Sequence, residues 1–341
     1  MKHYKIWLIV GSVAFVLLVV MYLFLRNKNP LDVNVKNIEL EVKMERFDKI
    51  MFDQKMPIEK RIQILNEKYD VFYDVFNYDI ISIGGIENRS YAVYLQTFLN
   101  DYAVQQAYHA VDSVFKDTEM LNSQLTDGFK HYKYYYADST VPRVVGFIAG
   151  FNQSVATMDG FIGVGLDKYL GSRSNLYAML QIPDYAAGRM TPEQIPFDVM
   201  TAFAQMQYPY SDSSETLLNR MIYNGKIQYF LDAMYPQEED SLKHAYSSED
   251  IDYCRWHEKD MWAFIIDKKL LFSTDYLVIR NYCDDAPYTK DFGMDSPPRA
   301  GNWLGWRIVS SYMKHNKVSL PELMAEQDYQ KILNMSKYDP E

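Results

Sequence analysis

Residues 143–166 read RVVGFIAGFNQSVATMDGFIGVGL and contain the two clearest strand patterns of the chain. Residues 143–151 and 155–166 are rich in β-branched and aromatic side chains, and the polar link at residues 152–154 separates them. A three-residue polar link between two such runs predicts an antiparallel hairpin. The glycines inside the runs are more typical of bulges or close backbone approach than of a phosphate-binding loop.

Helical patterns lie on both sides of these strands, and residues 38–42 alternate as a short additional strand. Ser247, with Asp250 three residues later, resembles a capping box that starts a long helix. Apolar periodicity and end signals predict helices over residues 58–69, 91–115, 120–132, 196–207, 215–234, 247–269, 275–283, 299–314 and 321–326. The order predicts an α+β fold, mainly α, in a single domain with a small antiparallel or mixed sheet.

An apolar segment precedes this domain. Residues 6–25 carry no charged side chain and are flanked by Lys or Arg on both sides. A helix of that length spans the ~30 Å hydrocarbon core of a bilayer. A cleaved signal peptide is the alternative, but the exit shows no small-residue cleavage pattern. The sequence therefore predicts an N-terminal tail at 1–5, a transmembrane helix at 6–25, a stalk at 26–37 and the folded domain at 38–341.

The composition limits the class of partner. The chain has a net charge of −10, which disfavours binding to nucleic acid or to an anionic surface. Cys254 and Cys283 both fall in predicted helices, where neither is placed for metal or redox chemistry, and whether they pair stays open. The 29 tyrosines suit a cleft that binds sugars or peptides, and they equally suit ordinary core and interface packing.

Patterns typical of hydrolases fail on spacing. The only His-Glu pair, His257-Glu258, is followed by Met261 where a zinc-binding helix needs its second histidine. Asp159 and Asp167, beside the predicted hairpin, are the most suggestive carboxylate pair, but no neighbouring histidine or acidic motif supports catalysis. The sequence predicts no metal site and no cofactor.

Two basic residues stand beside glycine or proline. Lys226 follows Gly225 on an aromatic helix, where a surface lysine with its head group in water is the expected role. Arg299 follows two prolines at the start of a helix. A helix start can hold an anion, although structural capping is the more common function.

Several blocks of the chain resemble the gliding motility lipoprotein GldB family of the Bacteroidota. They occur in the family's order and cover nearly all of the sequence after the apolar segment. The blocks are ERFDKIMFD (45–53), FNQSVATMDGFIGVGLDKYLG (151–171), RMTPEQIPFDVM (189–200), MIYNGKIQYFLDAMYP (221–236), MWAFIIDKKLLFSTD (261–275), SPPRAGNWLGWRIVSSYM (296–313) and SLPELM (319–324).

The resemblance implies an envelope protein linked to the gliding and type IX secretion machinery. For the predicted anchor we expect the amino end inside the cell and the folded domain in the periplasm. GldB proteins are usually lipoproteins, whereas the first cysteine of this chain is Cys254. A transmembrane anchor at residues 6–25 would replace the lipid. The partners implied are other cell-envelope, secretion or motility proteins and, through residues 6–25, the membrane.

The GldB family in turn resembles zinc peptidases of the zincin type, in which an H-E-x-x-H helix precedes a glutamate-glycine pair. By that likeness Met200, Thr201 and Ala204 occupy the motif positions, and Asn224 replaces the glutamate ligand. Residues 189–228 contain no histidine, and catalytic zinc needs three imidazole, thiolate or carboxylate donors. The resemblance thus implies a degenerate zincin-like scaffold that has lost its metal.

The leading hypothesis is a membrane-anchored, non-enzymatic binding or assembly factor. An envelope hydrolase with an unorthodox site around Asp159, Asp167 and Asn224 is the second, and a glycan- or peptide-binding module is the third. For a retained ligand cleft, the candidate residues are Asn152, Asp159, Asn224, Lys226 and Arg299.

Overall fold

The computed structural model describes residues 29–210 and 215–340. The predicted tail, the predicted transmembrane helix and the first residues of the predicted stalk lie outside these ranges. Within the ranges, no helix is both long enough and apolar enough to cross a bilayer.

Helices make up most of the described chain, with a π-helical turn at Phe76–Ile80 and 3-10 turns at Leu166–Lys168, Pro192–Gln194 and Lys290–Phe292. The helices of the first half are α1 (Phe47–Met51), α2 (Ile58–Tyr69), α3 (Val71–Val75), α4 (Tyr91–Asn100), α5 (Tyr102–Val114) and α6 (Glu119–Tyr135). Those of the second half are α7 (Asn175–Met179), α8 (Asp184–Ala187), α9 (Ile195–Gln207), α10 (Leu217–Met234), α11 (Asp240–His244), α12 (Ser248–Asp267), α13 (Tyr276–Cys283), α14 (Ala300–His315), α15 (Leu320–Ala325) and α16 (Tyr329–Ser336).

Most predicted helices are confirmed, and several of them begin at a side-chain cap. The capping box at Ser247 is present. Ser247 Oγ accepts from the Asp250 amide, and the Asp250 side chain accepts from the Ser247 amide. The single helix predicted over residues 91–115 is instead two helices. Asp101 separates them, since its carboxylate accepts from the amides of Ala103 and Val104 and starts α5.

The sheet has four short strands and is mixed. They are β1 (Glu45–Arg46), β2 (Arg143–Phe147), β3 (Val155–Met158) and β4 (Phe161–Gly165), in the order β1-β2-β4-β3. β1 pairs with β2, and β2 with β4, in parallel, whereas β3 and β4 are antiparallel. The mainly helical α+β prediction is therefore confirmed, while the zincin-like assignment stays a prediction.

The predicted hairpin between residues 143–151 and 155–166 is wrong. The first run forms β2, which pairs in parallel with β4. The second run is itself the hairpin, because β3 and β4 are joined through Asp159 and Gly160, with Gly160 at a φ of +73°. An Asp-Gly pair supplies the positive φ that a two-residue hairpin turn requires, and this local signal outweighs the polar link at 152–154.

The strand predicted at residues 38–42 is also wrong, although its alternation is real. This segment is extended, but its partner is helix α6. The Val42 amide donates to Thr126 Oγ1 at 2.9 Å, and the Met44 amide donates to Asn122 Oδ1 at 2.9 Å. Helix side chains thus satisfy backbone groups that a neighbouring strand would otherwise bind.

Helix α10 forms the centre of the C-terminal half and is buried on nearly all sides. It crosses α14 at Gly225, where an added Cβ would lie 2.3 Å from the backbone carbon of Gly305. Glycine at both positions lets the two backbones approach closely. The same crossing places the polar residues of α10 beside the start of α14.

Candidate functional site

A cavity of about 360 Å³, the central cleft, lies between helices α9 and α10, the turn after α11, the end of α13 and the start of α14. Its lining is mainly polar and comprises Gln194, Asp198, Thr201, Gln205, Arg220, Asn224, Ile227, Gln228, Leu231, Lys243, His244, Ala245, Tyr246, Cys283, Asp284, Asp285, Arg299 and Asn302.

Helical spacing explains how α9 and α10 form two polar walls. On α9, Asp198, Thr201 and Gln205 are three and four residues apart and therefore share one face. On α10, Arg220, Asn224 and Gln228 recur every four residues. Most other residues of both helices are buried, so these side chains mark the sides that open to the cleft.

Asn224 is held in place by a short chain of hydrogen bonds. Its Nδ2 donates to Asn302 Oδ1 at 2.8 Å, and Asn302 Nδ2 donates to the carbonyl oxygen of Cys283 at 3.1 Å. These bonds connect α10, α14 and α13 on the cleft wall.

Arg299 closes one end of the cleft. Its Nη2 donates to the carbonyl oxygens of His244 and Ala245 at 3.0 and 3.3 Å, and its Nε lies 3.1 Å from Asp285 Oδ1. Arg189 Nη1 binds the same Asp285 oxygen at 2.8 Å. These two guanidinium groups hold the pKa of Asp285 below its usual value even though burial opposes the shift.

Asp198 is surrounded by protein but keeps part of its surface open to the cleft. Tyr169 donates its hydroxyl to Asp198 Oδ2 at 2.7 Å, and Gln194 Nε2 donates to Oδ1 at 3.3 Å. Burial raises the pKa of Asp198, and these hydrogen bonds only partly offset that effect.

His244 is a neutral side chain among aromatic rings. Burial and the nearby cations Lys243, Arg299 and Arg255 push its pKa well below the usual value. The imidazole lies 4.7 Å from the Trp306 ring between centroids, and its Nε2 is buried without a hydrogen-bond partner in the described part of the chain.

Cys283 also lines the cleft. Burial raises the pKa of its thiol, which keeps it protonated at neutral pH. Cys254 and Cys283 are both free and buried, which answers the open question of their pairing. A protonated thiol is a poor nucleophile, and an imidazole with so low a pKa is a weak general base.

The structure brings together only two of the five predicted ligand-cleft residues. Asn224 and Arg299 both line the central cleft. Asn152 is exposed in the loop between β2 and β3, and Asp159 is exposed in the β3–β4 turn. Both belong to the sheet region and lie outside the lining of the cleft.

Lys226 differs from its predicted role as a surface lysine. Its side chain is buried and its Nζ donates to the carbonyl oxygen of Glu326 at 2.6 Å. Burial lowers its pKa to about 8. The segment that follows α15 therefore holds the Lys226 side chain. Lys226 does not line the central cleft.

The suggested carboxylate pair does not form. Asp159 precedes β4 and Asp167 follows it, so the two lie beyond opposite ends of that strand. Asp167 is buried and accepts from the amides of Ala149 and Phe151 at 3.1 and 2.7 Å. Its role in the structure is to hold the backbone after β2.

Two of the motif positions implied by the zincin likeness lie in the core and not on the cleft. Met200 and Ala204, which stood for the two histidines, are buried in the core. The pair spaced by four residues that lines the cleft is Thr201 and Gln205. Over residues 29–210 and 215–340, no group of three or more His, Cys, Asp or Glu side chains is arranged to hold a metal ion.

Sequence reasoning missed most of the cleft. Gln194, Asp198, Thr201 and Gln205 form a polar stripe on an otherwise apolar stretch, and that stripe was a usable signal. His244 and Asp285 lie far from α9 in the sequence. Only the folded chain brings them next to α9 and α10.

Comparison with known proteins identifies the family. No curated protein and no solved structure matches the chain. The model of the family described as gliding motility protein GldB matches residues 28–340, which covers almost the whole sequence. The chain therefore belongs to the GldB gliding motility protein family.

Proposed function

We propose that this protein is a non-enzymatic assembly factor of the cell envelope that holds an extended polypeptide segment of a motility or secretion component in the central cleft. The observation that carries the proposal is the chemistry of the cleft lining. Five carboxamide side chains line the cleft, namely Gln194, Gln205, Asn224, Gln228 and Asn302.

Carboxamides match the hydrogen-bonding groups of a peptide backbone. Each side chain offers both a donor and an acceptor, as an extended peptide does at every residue. Gln228 Nε2 is buried without a hydrogen-bond partner among the described residues, and a bound backbone carbonyl would supply one. The carboxamides on the α9 and α10 walls thus favour binding of a peptide backbone.

A second cavity extends the surface available to a peptide. It has a volume of about 350 Å³ and shares Gln194, Ala245 and Tyr246 with the central cleft. Its other lining residues include Tyr185 and Pro298, which supply apolar surface. A segment that crosses both cavities would meet amides first and then an aromatic, proline-rich surface.

The non-enzymatic part of the proposal is supported by the state of the reactive side chains. The lowered pKa makes the His244 imidazole a weak base, and the raised pKa keeps the Cys283 thiol protonated. The alternative hydrolase site has no comparable support, because Asp159 and Asp167 lie beyond opposite ends of β4. The degenerate zincin scaffold stays part of the proposal, with α9 and α10 as the two helices that once carried the metal ligands.

Location in the envelope, anchored through residues 6–25 with the folded domain in the periplasm, is the remaining part of the proposal. The family description, gliding motility protein, supports a role in that compartment. The partners we propose are therefore envelope proteins of the motility or secretion machinery.

A cleft-filling substitution tests the proposal. Thr201→Trp places an indole on the α9 wall of the cleft, whereas Thr97→Trp makes the same change on an exposed face of α4. In cells that depend on this protein for surface movement, we expect Thr201→Trp to abolish movement and partner co-purification at normal protein levels. Thr97→Trp should retain both. Full function of a folded Thr201→Trp protein would contradict the proposal.

A further inference from the structure

A second site, remote in sequence from the central cleft, surrounds Arg61 on helix α2. The Arg61 side chain is buried, with 7% of the residue exposed. Its Nη1 donates to the carbonyl oxygen of Met51 at 2.7 Å, and its Nε is buried without a hydrogen-bond partner in residues 29–210 and 215–340. None of the ion pairs between described residues involves Arg61.

A buried guanidinium without a counter-ion is unusual. Arginine keeps its charge at every physiological pH, so it cannot relieve burial by losing a proton. The Met51 carbonyl lies at the end of α1 and satisfies one of the five N–H donors of Arg61. The positive charge of the guanidinium therefore favours a negatively charged acceptor beside it.

A cavity of about 310 Å³ adjoins this guanidinium. Its lining comprises Arg61 with Phe52, Gln54, Gln96, Leu99, Asn100 and Gln105, and none of these residues is acidic. Gln96 Nε2 donates to Asn100 Oδ1 at 2.9 Å, which leaves the Asn100 amide nitrogen available to donate to a ligand. The cavity therefore combines one buried cation with neutral amide donors.

Asp53 and Asp101 adjoin lining residues in the sequence, and both are already engaged. Asp53 Oδ1 accepts from the Lys55 amide at 3.0 Å. Asp101 Oδ1 accepts from the amides of Ala103 and Val104 at the start of α5. Neither carboxylate is within ion-pair distance of Arg61 in the structure.

We propose that this cavity, which we call the Arg61 pocket, binds a small oxyanion, either a carboxylate or a phosphate. Both groups match the planar fork of a guanidinium and accept from carboxamide N–H groups. The overall negative charge of the chain, −10, would repel anions from most of its surface. Selective binding at the Arg61 pocket would therefore depend on the buried guanidinium.

Titration calorimetry of the full chain at low ionic strength tests this proposal. Inorganic phosphate and acetate are added in separate titrations, with chloride at equal ionic strength as the reference. We expect one saturable site for at least one of the two oxyanions. Absence of saturable binding for both would overturn the proposal.

Three variants test whether the oxyanion binds at the Arg61 pocket. Arg61→Gln removes the cation, and Asn100→Asp, at an exposed lining residue, adds a competing negative charge without touching Arg61. We expect each to weaken binding by about tenfold or more. Arg280→Gln removes an exposed arginine elsewhere and should leave binding unchanged. If Arg61→Gln does not fold, Asn100→Asp decides, and wild-type affinity in that variant would overturn the proposal.

Discussion

Gly225 on α10 and Gly305 on α14 face each other where the two helices cross in close contact. A Cβ on Gly225 would lie 2.3 Å from the Gly305 carbonyl carbon, and a Cβ on Gly305 would lie 1.8 Å from the Met221 carbonyl oxygen. Gly301, one turn earlier on α14, would likewise meet the Tyr282 carbonyl oxygen at 2.8 Å. This close approach fixes Asn224 beside Asn302 and thereby one wall of the central cleft.

Gly305→Ala should destabilise the fold strongly. The added methyl group collides with backbone, which cannot move aside as a flexible side chain could, so α10 and α14 must separate. We expect the free energy of unfolding to fall by at least about 3 kcal/mol in denaturant titrations. Gly188→Ala is the control, because its Cβ would meet nothing closer than 3.3 Å, and it should change stability by less than about 1 kcal/mol. Equal effects of the two substitutions would contradict the packing described.

Asp167→Asn should change how stability depends on pH. Burial raises the pKa of Asp167 from its ordinary value of 3.8 to about 6, against the opposing effect of the Phe151 and Ala149 amides. The folded state therefore binds this proton more tightly than the unfolded state, and stability from this group increases as pH falls from about 6 towards 4.

The amide variant cannot bind that proton, so the increase should be missing. We expect the wild-type protein to gain up to about 3 kcal/mol relative to Asp167→Asn between pH 7 and pH 4, measured by chemical unfolding at each pH. Asp159→Asn, at an exposed turn position, should follow the wild-type curve. Parallel curves for the wild type and Asp167→Asn would show that the carboxyl group does not titrate as described.

Lys243→Met should lower the free energy of unfolding, because it breaks a buried ion pair. Lys243 Nζ lies 2.6 Å from Asp232 Oδ1, and Trp306 Nε1 donates to the other Asp232 oxygen at 2.6 Å. Removing the lysine leaves a buried carboxylate without its cation, and we expect a loss of about 3–5 kcal/mol.

The double variant Lys243→Met with Asp232→Asn should regain most of that loss, because no unpaired charge remains. The control is Arg255→Met, which breaks a more exposed pair with Asp240 and should cost less than about 1 kcal/mol. A double variant as unstable as Lys243→Met alone would contradict the charge-based explanation.

Local signals in the sequence predict the helices well. The capping box at Ser247 and the apolar periodicity of α9 and α10 depend on residues within one or two turns. Strand pairing depends on residues far apart in the chain, and there the prediction fails. β2 pairs with β4 and not with β3, which follows it in the sequence. The turn residues Asp159 and Gly160 join β3 and β4 as the hairpin.

The sequence predicts two residues of the central cleft, and they come from two different helices, α10 and the start of α14. Asn224 and Arg299 were identified and do line the central cleft, whereas Asn152 and Asp159 were placed there by their position near a misassigned hairpin. The burial of Lys226 arises from its contact with the Glu326 carbonyl, a hundred residues later. No pattern of neighbouring residues carries that information.

Site-specific photo-cross-linking in living cells tests the central proposal most directly. A photoreactive amino acid at position 205 would sit at the exposed edge of the cleft on α9, and the same group at position 97 is the reference. We predict that position 205 repeatedly captures one envelope protein through an extended segment, and that Thr201→Trp abolishes the adduct. Adducts identical to those from position 97, or an adduct unaffected by Thr201→Trp, would contradict a role for the cleft in binding a partner.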